Sequence, residues 1–499
     1  MKRTKTKSFP KIVKPNQIKE INKYVAGIDI GSQEHYVAVS PELTDEFVKS
    51  FGAFTEDLRA ISQWLISLGI TSVAMESTGV YWIPIYDVLQ EAGLEVLLVN
   101  AKYIKNVTGR KSDVIDCQWI QQLHSFGLLR GSFRPDDQTC ALRGVMRQRD
   151  AIIKTMSQVK LRMQKALDQM NIHLHHVISD ITGDLGLKIL TNIVEGNHDP
   201  KSLASMRTNQ YKASLETFEK SLEGNYRKEL ILSLKQGLDS YAFAQKQLQE
   251  CDAMAENILK EMSPAINDPE LIVVDTEDDT ENNAKDGSKR GRPKKIANKK
   301  VVQKERKAKR RKNELFFDAA HYLKNLVGVD LTAIPGLDAN SALKLISEIG
   351  TDMSRWSSAK HFASWLGLAP GTKISGGKIL SAKTKPCQNR AATILRIAAF
   401  VLGRSPSALG AFLRKKKAQL DAPEAITATA HKLAKIVYTM IKERKEFQDL
   451  GAEFYEKQYQ ERVMKKLKKT AAFFGYSLVE NVSTIIQNVA TNIVTVGGA

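Results

Sequence analysis

Along the first 135 positions, apolar and polar residues fall into short runs that predict strands and helices in alternation. Residues 24–30, Tyr-Val-Ala-Gly-Ile-Asp-Ile, read as a buried strand closed by Gly31 and Ser32. Residues 35–40 return as the second strand of a hairpin, and 46–54 supply a third. Residues 58–68 have helical periodicity, 71–77 form another apolar strand and 81–92 a helix. Residues 94–100 alternate so little that they suit a central strand, and a helix over 112–126 follows. This order predicts an α/β domain over 24–135, a mixed sheet with helices on its faces.

Beyond that point the helical period takes over. Residues 136–174 space Leu142, Val145, Ile152, Val159, Met163, Leu167 and Met170 at threes, fours and sevens, with Arg143, Arg147, Arg149, Lys154, Lys160, Arg162 and Lys165 between them. A second long amphipathic region runs over 215–262, joined to the first by a connector over 173–212. The pair predicts a helical region over 136–270, built as an antiparallel coiled coil or dimerisation arm, or equally as an ordinary bundle. His173, His175 and His176 cluster in the connector; loop histidines are commonly solvated, and they take no role here.

Residues 271–326 differ in kind. An acidic run (Asp275, Glu277, Asp278, Asp279, Glu281) gives way to Lys289-Arg-Gly-Arg-Pro-Lys-Lys295 and a mostly basic stretch over 304–312. Such blocks repel themselves and bury no core, so a charged linker is expected. Arg290 and Arg292, in Arg-Gly-Arg-Pro, suit a narrow A·T minor groove as an AT-hook or act as a generic polybasic contact to phosphate. Helical periodicity resumes in a mainly α domain over 327–450, and a helical tail over 451–499 follows. In the α domain, Leu331-Thr-Ala-Ile-Pro-Gly-Leu337 followed by the helix of 342–350 has the form of a helix-hairpin-helix, whose amides can take a phosphate.

Composition narrows the partner. The 499 residues suffice for about three domains, and a net charge of +19 with pI near 9.5 points to a polyanion. Four scattered cysteines without a CxxC argue against a disulfide framework or zinc finger. No apolar run reaches the length of a membrane span, and residues 1–23 form a basic arm without an apolar signal core, so a cytoplasmic, nucleoid-associated protein with no membrane partner is expected.

The candidate chemistry lies with acids and one serine. Asp113 and Asp116 share a helical face at i and i+3, either as a solvated pair complementing the helix dipole or as ligands. Asp29 in the first strand is costly to bury without a reason. With Glu76 at the tip of a later strand, these four carboxylates could meet at one sheet edge and hold two divalent cations for phosphoryl transfer. Ser375 precedes Gly376 and Gly377 in a loop over 367–378, ringed by Lys373, Lys378, Lys383, Lys385 and Arg390. It reads as a turn serine or as a nucleophile aimed at a phosphodiester.

Gly27-Ile-Asp-Ile-Gly-Ser32, Met75-Glu-Ser-Thr-Gly-Val-Tyr81 and Lys111-Ser-Asp-Val-Ile-Asp116 resemble the RNase H/RuvC-like domain of the DEDD transposases of the insertion-sequence-110 family, as do Asn100-Ala-Lys102 and Lys105. Residues 359–370, Ser375-Gly-Gly377 and Arg390 resemble the C-terminal transposase domain of the same family, and 425–442 its closing helix. The two blocks cover half to three-fifths of the chain. The resemblance implies a transposase or site-specific recombinase. Asp29, Glu76, Asp113 and Asp116 would be its Mg2+-binding tetrad, with two ions and Mn2+ able to substitute. Ser375 would be its nucleophile, with Ser381 as fallback because 385–389 depart from the family's turn. It further implies element-end and target DNA, a structured bridge RNA as guide, and a dimer or tetramer in which serine and tetrad meet across protomers. Lys102, Lys105, Arg290, Arg292, Lys373, Lys378 and Arg390 are the candidate nucleic-acid contacts.

Rival readings remain. A RuvC-like nuclease or junction resolvase would use the tetrad with water as nucleophile and would not need Ser375. An ATP-binding protein of the actin and sugar-kinase type shares Asp29-Ile-Gly31 but would want further phosphate loops. An architectural DNA binder explains the charge and leaves the acids unexplained.

Overall fold

A computed structural model of the chain describes residues 20–77, 79–100, 113–208, 210–263, 313–384, 386–387 and 389–479. The backbone divides into two compact units, Met1–Arg134 and Pro135–Ala499.

The first unit is built on five strands: β1 (Val25–Ile30), β2 (Glu34–Ala38), β3 (Val48–Gly52), β4 (Ser72–Glu76) and β5 (Glu95–Val99). Their order is β3-β2-β1-β4-β5; β1, β4 and β5 run parallel, and β2 and β3 are antiparallel additions. Helices α1 (Thr55–Ser67) and α2 (Trp82–Glu91) cover one face, where Ile28, Val37 and Met75 meet Leu58, Ile61, Leu65, Ile85 and Leu89 in one buried cluster. The opposite face takes α3 (Asp113–Ser125), whose Ile120 packs with Ala74 and Val99. Apolar residues on both faces of β1 and β4 follow from this sandwiching. This is the mixed α/β sheet of an RNase H-like fold.

The second unit opens with α4 (Asp137–Gln169), started by the Asp136 carboxylate, which accepts from Thr139 N at 2.8 Å. The sequence joins 215–262 into one amphipathic stretch, but the structure breaks it in two: α7 (Leu215–Leu222) and α8 (Lys228–Met262). The break spans 223–227 and holds Tyr226 at φ 44, with its half-buried phenol donating to Leu222 O. The connector is not plain loop either, since α5 (Asp184–Val194) and α6 (Pro200–Ser205) fold within it and bury Leu185, Ile189, Leu190 and Leu203. Arg149 meets Asp252 and Met163 lies against Gly237, so α4 and α8 run antiparallel. Their apolar stripe is thus buried within the one chain.

Residues 313–326, expected as linker, are folded from Asn313 onward. Arg149 and Asp252, both fully buried, take Asn313 O and Phe316 N as further partners, tying this segment to α4 and α8. Then come α9 (Ala319–Val327), a Pro335-Gly336 hairpin and α10 (Ala339–Ile349), a helix-hairpin-helix outline. Its proposed phosphate role is not favoured: the Asp338 carboxylate already accepts from Ser341 N at 2.8 Å, and Gly336 lies against the backbone of Ala398. A carboxylate seated on the helix start repels a second anion. Next are α11 (Ala359–Trp365), a hairpin of β6 (Lys373–Ser375) and β7 (Lys378–Ser381), α12 (Arg390–Val401), α13 (Ala408–Lys417), α14 (Ala422–Glu443) and α15 (Gly451–Phe473). Among the described residues no single helix is long and apolar enough to cross a membrane.

Candidate active site

Strand parity and one glycine assemble the acids. In the β1–β4 ladder Gly27 pairs with Ala74 and Ile28 with Met75, so the next step brings Asp29 beside Glu76. Side chains two apart along a strand share a face, so Asp29 and Glu76 project on the Gly27 and Ala74 side, the face that α3 covers. Gly27 permits that cover: a Cβ there would stand 2.2 Å from Gln121 N and 2.5 Å from Cys117 O. Close seating of α3 carries its first turn, with Asp113 and Asp116, to the carboxyl ends of β1 and β4. In open α/β sheets that end is where ligands bind.

The electrostatics report the same meeting. Burial, and then the charges of Asp113, Asp116 and Glu76, push the Asp29 carboxyl up to about 6. Cys117, buried under the site, is pushed well above the usual thiol range, first by burial and then by Asp29, so it is an inert packing group. The acids feel one another without forming a tight cage. Among the described residues, the group of His, Cys, Asp or Glu ligands lying within 4.8 Å of one another is His173, His175 and His176 instead. The donor set still suits a hard divalent ion, being all carboxylate oxygen with a carboxyl at its centre that a cation would relieve.

Ser375 stands in the other unit, on an exposed two-stranded hairpin. Sequence periodicity made 367–378 a loop; the structure pairs Ser375 with Lys378 across a two-residue turn. Gly376 at φ 54 and Gly377 at φ 75 make this the twin left-handed turn that suits the twist of a tight hairpin. The two glycines answer to that turn, and a Cβ on either would meet open space. Ser375, Lys373 and Lys378 are all exposed. Ser381, the fallback, is half-buried, and its Oγ accepts from Lys383 N at 3.3 Å.

A family model described as a transposase of the DEDD insertion-sequence-110 type matches residues 26–172, and one described as "Transposase IS116/IS110/IS902 family" matches residues 330–411. The chain carries both domains of an insertion-sequence-110-family transposase. It is therefore a DNA-acting enzyme whose DEDD domain depends on divalent metal. No curated protein matches the chain.

Of the transposase's other candidate contacts, Arg390 is exposed at the first turn of α12, behind the Asn389 cap. It borders a recess of about 390 Å³ with Arg147, Lys154 and Lys344, whose charge Asp150 and Glu348 partly offset. Lys102, Lys105, Arg290 and Arg292 lie outside the described residues. Sequence reading missed Tyr36 and Glu34. Tyr36 pairs with Asp29 across the β1–β2 ladder, and its phenol donates to Glu34 Oε2 at 3.1 Å. That hydrogen bond, with a smaller push from Asp113, raises the Tyr36 pKa. Hairpin register counted back from Gly31-Ser32 could have found them.

Proposed function

We propose that the transposase cuts and rejoins the DNA of its own insertion sequence through Ser375 and the tetrad Asp29, Glu76, Asp113 and Asp116. What supports the tetrad is the combined field of Glu76, Asp113 and Asp116 on the half-buried Asp29. The four carboxylates would hold Mg2+, as two ions with Mn2+ able to substitute, supplying positive charge to the attacking and leaving oxygens of a phosphoryl transfer. Ser375 gives up its proton and its Oγ bonds to phosphorus; the bond to the leaving sugar oxygen breaks, and that oxygen takes up a proton. The strand then stays joined to the protein as a phosphoserine diester. Attack by the sugar hydroxyl of a second strand reverses the step and frees the serine, so rejoining needs no nucleotide cofactor. An exposed hairpin tip suits a nucleophile that must enter the groove of a duplex. Lys102, Lys105, Lys373, Lys378, Arg390, Arg292 and Arg290 would contact phosphates. A bridge RNA as guide and a dimeric or tetrameric assembly complete the reading, and the net charge of +19 suits the former.

A water-using nuclease is the second reading, favoured by the presence of all four acids in the first unit and Ser375 in the other. The two part on one experiment. Labelled DNA, Mg2+ and guide RNA mixed with the protein should give a denaturant-resistant adduct. Ser375→Ala should lose adduct and cleavage together, while Ser381→Ala keeps both. Free ends released by an active Ser375→Ala protein would end the recombinase reading.

A further inference from the structure

The turn after α4 holds three histidines that the DNA chemistry does not use. We propose that His173, His175 and His176 bind a borderline divalent transition metal, zinc foremost, at a site separate from the carboxylate tetrad. Their candidate ligand nitrogens all lie within 4.8 Å of one another. The His173 and His176 rings stack at 5.1 Å, and His175 meets His176 edge-on at 4.3 Å. On a tetrahedral zinc with bonds of 2.0–2.1 Å, ligand atoms stand roughly 3.3 Å apart. Rotation of exposed or half-buried rings covers the difference.

The backbone beneath is fixed. Ile172, Leu174 and Val177 are buried in the core of the second unit, so the residues between and beside them turn outward. His173 N donates to Ser221 O at 2.8 Å and His176 N to His173 O at 2.9 Å. Asn171, at φ 60, sets the turn, and its Oδ1 lies 3.0 Å from His173 Nε2. An amide oxygen only accepts, so this ring carries its proton on Nε2 and offers a bare Nδ1. Metal-binding histidines are held by such an outer hydrogen bond.

Asp168 lies beside the cluster, outside the group of ligand atoms that meet within 4.8 Å. Its Oδ1 lies 3.6 Å from His175 Nδ1. The Gln164 amide nitrogen meets both, donating to His175 Nδ1 at 2.7 Å and to Asp168 Oδ1 at 2.9 Å. An amide nitrogen only donates, so His175 Nδ1 accepts here and can turn to a metal once that amide gives way. Three imidazoles with a water in the fourth position suit Zn(II), Co(II), Ni(II) or Cu(II), whereas Mg2+ prefers an all-oxygen shell. The bound ion would pin the short 3-10 turn (Leu174–His176) to His173 at its start.

Tag-free full-length protein titrated with Co(II), then Zn(II), in excess Mg2+ tests this. Expected is one Co(II) per chain with the strong visible absorption of a tetrahedral ion, bleached by one equivalent of Zn(II). The double change His173→Ala, His176→Ala should abolish that absorption with unchanged far-ultraviolet dichroism. Asp113→Ala should keep it. Asn171→Gly preserves the left-handed turn while removing the amide, and should weaken Zn(II) affinity about 10- to 100-fold. The absence of tetrahedral Co(II) in the wild-type protein, or equal binding by the double variant, would overturn the site.

Discussion

Asp29→Asn separates a built metal site from a solvated acidic edge, because the two make opposite claims about stability. Burial and the three neighbouring carboxylates raise the Asp29 pKa from 3.8 to about 6. At 1.36 kcal/mol per pKa unit this corresponds to about 3 kcal/mol. Asp29 is only partly buried, so solvent screening reduces the figure to about 1–2 kcal/mol. The sign follows from linkage: a carboxyl with a raised folded-state pKa favours the folded state below its unfolded value, near 3.8. That advantage is lost as pH rises through about 6. At pH 8 in EDTA, Asp29→Asn should therefore be more stable than the wild type by about 1–2 kcal/mol, or roughly 2–8 °C in Tm. At pH 4 the two should nearly coincide. Saturating Mn2+ should reverse the order at pH 8. A ligand at a hundred times its Kd stabilises by about 2.7 kcal/mol, and the variant should gain little of it. Calorimetric melts of both proteins at the two pH values, with and without metal, read all four quantities. A variant less stable than the wild type at pH 8 in EDTA, or an equal gain from Mn2+ in both, would refute the reasoning.

Gly27→Ala should unseat α3, since its Cβ would stand 2.2 Å from the Gln121 backbone nitrogen. A loss of about 1–3 kcal/mol by urea titration, with metal-dependent cleavage lost even where the fold survives, is expected. At the hairpin tip, Gly376→Asn should retain activity because asparagine tolerates the left-handed turn, whereas Gly376→Val should lose cleavage with little change in Tm; equal activity of the two would detach the turn from function. Arg149→Met or Asp252→Leu alone should cost about 3–5 kcal/mol by leaving a fully buried charge unpaired. Chemical denaturation of the double variant should recover most of that loss.

How much could be read in advance depended on whether a residue's role was written in local period. Strand parity is local, so Asp29 and Glu76 could be placed near one edge, and helical spacing put Asp113 beside Asp116. What could not be read was why the helix sits so close, which is decided by the absence of a Cβ at Gly27 against a backbone ninety residues away. The Ser375 hairpin escaped for another reason. Strands of three and four residues whose described side chains lie largely in solvent are too short for a readable apolar alternation, and their pairing across the two positive-φ glycines shows only in the fold. Arg149 looked like one more cation on a basic face, yet its partner Asp252 lies 103 residues away and both are dry. No window of sequence holds that pairing. Tyr226 is the sharpest case, because its left-handed φ of 44 and its phenol's hydrogen bond to Leu222 O lie in a break that an apolar period running over 215–262 does not announce. Local pattern thus places groups that repeat along one element. Close approach, buried charge and strain are settled between elements, and in the candidate site these decide whether four acids share one field.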